Sequence, residues 1–252
     1  MKGEAMKRLF SVIFLLFLTA NVYGAELQVS APQSVKKAFL EISTLFEKNN
    51  PDWKVNLRVG KPAEARKLIS QGTSVDVFFM KEDKTIQSLQ EKKLVQNARR
   101  FLADDLVVVG PENSQLQVTE PSKLVFPELK GVALYGEKHP VGKAARDYLQ
   151  KHNLFETVIA KQSSKKNTKE VFQSLTGGET DWAIVYASDA THTKGIKILY
   201  RIPQTEISPE FYYIGMVAKS RQPEGAQLYL DSLNSTIALK IFENAGFRVI
   251  KE

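Results

Sequence analysis

The sequence predicts an α/β protein of two lobes, each a mostly parallel sheet flanked by helices, with a cleft between them. Three observations predict it. Short apolar runs alternate with segments whose apolar residues recur at helical spacing, the pattern of parallel strands covered by helices. Behind an apolar leader lie about 228 residues, enough for two lobes of roughly 100 residues each. The chain has no cysteine, so neither disulfides nor thiolate metal sites can stand in for a hydrophobic core.

Leu27-Gln28-Val29-Ser30 is a short strand. Val35, Ala38, Phe39, Ile42, Leu45 and Phe46 then share one helical face, which predicts an amphipathic helix over 35–48. Trp53 to Val59 alternates and reads as a strand. A helix from Ala63 to Gln71 leads to the buried strand Val75-Asp76-Val77-Phe78-Phe79, and another helix covers 83–92. Leu106-Val107-Val108-Val109 is an apolar strand ended by Gly110-Pro111. The second half repeats the habit, with a strand at 131–134, helices at 142–151 and 168–176, and a strand that ends at Tyr186. Further strands are expected at 196–199 and 211–218, and helices at 224–233 and 236–245. Chain crossings near Asp104-Asp105 and Phe211 divide the chain into a first lobe of residues 25–104 and 212–252 and a second of residues 105–211.

Lys7-Arg8 precede the apolar run Leu9 to Ala20, and Val22-Tyr23-Gly24 places small residues at the −3 and −1 positions of a cleavage site. Residues 1–24 therefore read as a secretory signal peptide, the run being shorter than a membrane-spanning helix. The expected location is the periplasm, with no cysteine to carry a lipid anchor. The net charge is +7, of which the leader supplies +2. The remaining cations are scattered, and the doublets Lys36-Lys37, Lys92-Lys93, Arg99-Arg100 and Lys165-Lys166 have no interleaved aromatics. They read as solvated faces rather than a nucleic-acid surface. A monomer is expected.

Catalytic signatures are missing. The three histidines, His139, His152 and His192, form no zinc motif, and no dinucleotide-binding, P-loop or nucleophile-elbow pattern occurs. The sequence implies no cofactor, and an enzyme is not expected. The loops at strand ends that lead into helices are more informative. They are Ala31-Pro32-Gln33-Ser34, with Ser34 as N-cap; Gly60-Lys61-Pro62-Ala63; His139-Pro140-Val141-Gly142; and Asn167-Thr168, with Glu170 completing a capping box. Unpaired N–H groups at such helix starts bind anions without a formal cation. Tyr186, at a strand's carboxyl end, adds a hydroxyl where open α/β sheets meet ligands.

Several segments resemble the periplasmic molybdate-binding proteins, the solute-binding components of molybdate and tungstate ABC transporters. Ser34-Val35-Lys36-Lys37-Ala38-Phe39 resembles the family's Ala-Ser-Leu-Thr-x-Ala-Met. Ala65 to Gly72 followed by Val75-Asp76-Val77-Phe78 resembles Leu-Ala-Arg-Gln-Ile-x-x-Gly and Ala-Asp-Val-Phe. Pro140-Val141-Gly142-Lys143-Ala144-Ala145 is similar to Val-Pro-Ala-Gly-x-Tyr-Ala. Glu179 through Ala190 resembles Gly-Glu-Ala-x-x-Gly-Ile-Val-Tyr-x-Ser-Asp-Ala, the most specific segment, and Phe242 to Phe247 resembles Ile-Phe-x-x-Tyr-Gly-Phe. The resemblance implies a type II periplasmic-binding-protein fold, a tetrahedral oxyanion held between the lobes by neutral donors, and delivery to an inner-membrane ABC permease. By position it implies ligand contacts from the hydroxyls of Ser34 and Tyr186 and from backbone near Val141 and Thr168.

The sequence departs from that pattern where the second serine belongs. Lys61-Pro62 stands there, and proline supplies neither hydroxyl nor N–H. Lys61 becomes a candidate replacement donor. Met80-Lys81-Glu82 also replaces the family's Ser-Ala-Asp, and Thr168 stands where a small apolar residue is common. Three alternatives therefore stay open. The ligand is another oxyanion or a small organic anion, the cleft is that of an exported enzyme with His139 as general base, or the fold persists in a sensor without ligand. Glu64 or Glu82 would supply an acceptor for a protonated anion if either faced the cleft.

Overall fold

The computed structural model describes residues 24–72, 74–81, 83–126 and 128–250. The leader, apart from Gly24, lies outside the described residues, as does Glu82. The strands are β1 Ala25–Ala31, β2 Trp53–Val59, β3 Val77–Met80, β4 Val95–Asp104, β5 Leu106–Pro111, β6 Val132–Tyr135, β7 Gln162–Lys165, β8 Trp182–Tyr186, β9 Ile196–Arg201, β10 Glu210–Val217 and β11 Arg248–Val249. The helices are α1 Lys36–Asn49, α2 Pro62–Ser70, α3 Asp83–Glu91, α4 Pro140–Lys151, α5 Phe155–Ile159, α6 Thr168–Thr176, α7 Ala187–Thr191, α8 Pro223–Leu233 and α9 Thr236–Asn244.

Two sheets result. Sheet one has the order β11-β4-β10-β3-β1-β2, and sheet two the order β7-β6-β8-β5-β9. Both are mixed rather than mostly parallel. In sheet one β1 runs parallel to β2 and β3, whereas β10 is antiparallel to β3 and β4, and β4 to β11. In sheet two β6 is parallel to β7 and β8, whereas β5 is antiparallel to β8 and β9. The antiparallel pairs arise from the strands beside the chain crossings, β4 with β5 and β9 with β10. These enter each sheet without the helical crossover that parallel neighbours require.

Strand periodicity sorts the core of sheet one. Val77 and Phe79 face α1, α8 and α9 in a cluster with Phe39, Phe46, Phe101, Tyr229 and Phe242. Phe78 and Met80 face α2 and α3 on the other side, with Ile69, Ile86 and Leu89. Phe79 anchors the aromatic cluster, 5.0 Å from the Phe39 ring and 5.4 Å from that of Tyr212. Sheet two packs Val107, Val109, Ile184 and Trp182 against Tyr148, Leu149 and Leu175. Among the described residues no helix is long and apolar enough to cross a membrane.

Three strands escaped the sequence reading. After the buried Val95, β4 runs through mostly polar, exposed or half-buried residues and is irregular where it meets β10, with Asn97 at a φ of 53°. β7 is a polar edge strand, and β11 is two residues long. All three depend on neighbours rather than on their own pattern.

In sheet two's core the Tyr148 hydroxyl is buried with no hydrogen-bond partner among the described residues. Removing an unmet polar group while keeping its ring should relieve a desolvation cost of about 1 kcal/mol. Tyr148→Phe is therefore expected to raise the unfolding midpoint by roughly 2–4 °C. A clear drop in thermal melts would show that the hydroxyl has a stabilising role.

Candidate functional site

The strand ends that carry the helix starts converge between the two sheets. From sheet one, β1 runs into the turn Gln33–Val35, and β3 ends one residue before Lys81. From sheet two, β6 leads through His139 to α4, β7 through Asn167 to α6, and β8 ends at Tyr186. Their side chains form a polar cluster with Asp104, at the end of β4, and with Glu210 and Tyr212 of β10.

Ser34 Oγ and Tyr212 Oη lie 3.0 Å apart. The Lys81 ammonium sits between two rings, 4.9 Å from the centroid of Tyr212 and 5.1 Å from that of Tyr186. The Tyr186 hydroxyl donates to Glu210 at 3.1 Å. On the sheet-two side Tyr135 donates to Thr168 Oγ1 at 2.9 Å, and Thr168 donates more weakly to Asp189 at 3.5 Å. The His139 ring stacks on Tyr135 with centroids 4.2 Å apart, and its Nδ1 accepts the Val141 N–H at 3.3 Å. That bond requires an unprotonated Nδ1. Burial, with Lys81 nearby, holds His139 below its ordinary value and favours this form.

Four of the five predicted residues, Ser34, Tyr186, Val141 and Thr168, lie in this convergence. Ser34 is not an N-cap. Pro32 begins the turn and Val35 precedes α1, neither with a side-chain cap, because a tight turn intervenes before the helix. The serine hydroxyl is thereby turned to Tyr212 instead of to helix N–H groups. Asn167 does cap α6, accepting the Glu170 N–H at 3.0 Å, while Glu170 accepts the Lys166 N–H at 2.9 Å. Lys61 stands apart. Its side chain is exposed at the start of α2 and touches none of this cluster among the described residues. Its backbone N–H points to Glu64, which folds back over its own helix start at 3.4 Å rather than into the cleft.

The cluster also holds residues that the sequence reading did not single out as ligand contacts. Asp104 is 1% exposed and accepts from the Ser188 hydroxyl at 2.6 Å and the Ser188 N–H at 3.1 Å. Burial pushes its carboxyl up to about 7, against the pull of those two bonds and of Lys81. Burial raises Asp189 as well, opposed by Lys81 and by the Thr168 hydroxyl. It pushes the Tyr135 phenol up to about 12 and raises Tyr186 and Tyr212, so all three remain neutral donors at neutral pH. Lys81 had a visible signal, since it directly follows an apolar buried strand. Tyr212 had none, because its face depends on β10 being inserted between β3 and β4. Among the described residues no group of three or more His, Asp or Glu side chains stands ready to hold a metal.

The model of the bacterial extracellular solute-binding proteins matches residues 27–248, nearly the whole described chain. The chain belongs to this family. YvgL of Bacillus subtilis (strain 168), assigned as an ABC transporter substrate-binding lipoprotein, is 29% identical over 224 residues, covering 88% of this chain and 85% of its own. The molybdate-binding protein ModA of Escherichia coli (strain K12) is 27% identical over 231 residues, covering 89% of each. Among solved structures, a Clostridium difficile substrate binding domain assigned to a molybdenum ABC transporter superposes with a TM-score of 0.84. It is 26% identical and covers 90% of this chain and 99% of its own. The two-sheet architecture is that of type II periplasmic binding proteins, and the protein is a solute-binding protein rather than an enzyme.

The raised Asp104 fixes a sign for stability against pH. The folded chain holds this proton more tightly than the unfolded chain, so its contribution is full below about pH 4 and is lost as pH rises through about 7. Asp104→Asn keeps one oxygen to accept the Ser188 N–H, places an NH2 against the Ser188 hydroxyl, which can accept, and has no proton to lose. Urea melts from pH 4 to pH 8 should therefore show wild type losing on the order of 2–4 kcal/mol more stability than D104N. Parallel profiles would mean that Asp104 is ionised across the whole range.

Proposed function

We propose that the protein is exported by its leader and captures a tetrahedral oxyanion, molybdate or tungstate, between its two lobes. It then delivers the ligand to the permease of an ABC transporter in the inner membrane. The observation that carries this reading is the convergence of three hydroxyls, on Ser34, Tyr186 and Thr168, with the Val141 N–H at the start of α4. Hydroxyls and N–H groups suit an anion that has only acceptors. The similarity to a molybdate-binding protein and to a molybdenum transporter component supports the same ligand class. We read the protein as a monomer of two lobes, residues 25–104 with 212–252 and residues 105–211, closing by a hinge motion. No cofactor or nucleic acid enters this reading.

Binding would exchange internal partners for the ligand. Val141 would leave His139, and Tyr186 would leave Glu210. One observation favours a second reading, a protonated oxyanion such as hydrogen phosphate. Asp189 and Glu210 are acceptors within the cluster, and a proton-bearing oxygen needs one.

Thermal unfolding with molybdate, tungstate, sulfate, phosphate and thiosulfate separates these readings. Ligand at a thousand times its dissociation constant adds about 4 kcal/mol, a rise on the order of 8–16 °C at this size. The leading reading expects that rise from molybdate and tungstate, whereas a rise from phosphate alone would select the second. Ser34→Ala and Tyr186→Phe each remove one donor to a charged ligand. Each should weaken binding by roughly 10- to 150-fold in titration calorimetry; unchanged affinity in both would remove them from the site.

A further inference from the structure

The start of α2 offers little to an anion. Pro62 has no N–H, the Lys61 N–H is turned to the Glu64 carboxylate, and the Lys61 side chain is exposed. The cation that does reach the cleft belongs to the adjacent strand. Lys81 follows β3, and its ammonium lies between the ring faces of Tyr212 from sheet one and Tyr186 from sheet two.

Three titratable groups from separate elements lie within its electrostatic reach: Asp104 at the end of β4, Asp189 on α7, and His139 before α4. None is close enough for an ion pair. Among the described residues the ammonium makes no hydrogen bond to another protein group, so no internal partner competes for its three N–H donors. Two aromatic faces attract a cation, but they do not satisfy N–H donors. A partly buried ammonium held between two ring faces, with no protein acceptor to give up, is prepared for an anionic oxygen.

We propose that Lys81, not Lys61, takes the place of the second ligand hydroxyl, its ammonium donating to one oxygen of an oxyanion held between Ser34 and Tyr186. This rests on the oxyanion reading given above. The consequence is a change in the character of the site. Neutral donors recognise an anion by geometry, whereas a lysine adds a point charge with little directional demand. Binding then tracks ligand charge and weakens with ionic strength. It also tolerates variation in cavity shape that purely neutral donors would penalise. Because the ammonium touches rings from both sheets, the contact further couples ligand capture to the relative placement of the lobes.

Titration calorimetry of the full exported chain with molybdate and tungstate, at low and high salt, tests this with Lys81→Met, Lys81→Arg, Lys61→Ala and the exposed-surface control Lys92→Ala. The expectation is a loss of roughly 10- to 150-fold in K81M. K81R should stay within about tenfold of wild type, because it keeps the charge. K92A should stay within about threefold, a shift that a distant surface charge would not exceed at high salt. If K81M does not fold, Lys81→Gln carries the same comparison. Wild-type binding with K81M equal to it overturns the Lys81 assignment and leaves the oxyanion reading standing. A loss carried by K61A instead of K81M also overturns the assignment. Wild type that takes up neither anion overturns the oxyanion reading, and the role of Lys81 with it.

Discussion

Two consecutive aspartates at the first chain crossing hold the molecule in register. Asp104 ends β4 in sheet one yet accepts two hydrogen bonds from Ser188 in sheet two. The carbonyl of Asp105 accepts the Ala187 N–H at 2.9 Å, and its carboxylate takes a two-pronged bond from Arg248 of β11, both distances 3.0 Å. The crossing is thereby tied to the residues that immediately follow Tyr186 and to the end of sheet one. Gly246 completes the junction. A Cβ at its φ of 91° would press on Thr191 and the Ala187 carbonyl, so close approach of the C-terminal segment to α7 requires glycine. The separation between Tyr186 and Tyr212, and hence the placement of Lys81, follows from this junction.

The candidate site satisfies itself. Each predicted donor has an internal partner: Val141 has His139, Tyr186 has Glu210, Thr168 has Asp189, and Ser34 has Tyr212. Ligand affinity is then a difference between two sets of hydrogen bonds rather than a sum of new ones. Two of the four, Tyr186 to Glu210 and Thr168 to Asp189, already run to carboxylates, so an anion gains charge-assisted strength chiefly at Ser34 and Val141. Lys81 stands outside this exchange because, among the described residues, it gives up no hydrogen bond to protein.

Much of this was legible in the sequence, and the reasons differ by element. The helices over Val35 to Phe46 and from Thr168, and the strands ending at Phe79 and Tyr186, follow from local periodicity and capping, which need no knowledge of neighbours. The family resemblance pointed to Ser34, Tyr186, Val141 and Thr168 because its motifs fall at strand ends. Lys61 was named because it stands where the family's second serine belongs, and one-dimensional spacing does not reveal that Glu64 folds back over α2 or that Lys81 is flanked by rings. Asp104, Glu210 and Tyr212 were illegible as cluster members because long-range pairing alone brings them together. β10 meets β3 and β4 from more than a hundred residues away.

That insertion of β10 sets an order of assembly. Every strand of sheet two lies between Leu106 and Arg201, so this sheet is complete within one continuous segment. Sheet one is not. Among the described residues its strands β3 and β4 are joined only through β10, so the sheet stays in two pieces until residues near Val217 are available. Closing that gap means bringing together ends separated by the whole of sheet two, an entropic cost reduced if the intervening segment is already compact. Sheet two is therefore also a folded spacer that shortens the path over which sheet one finds its missing strand.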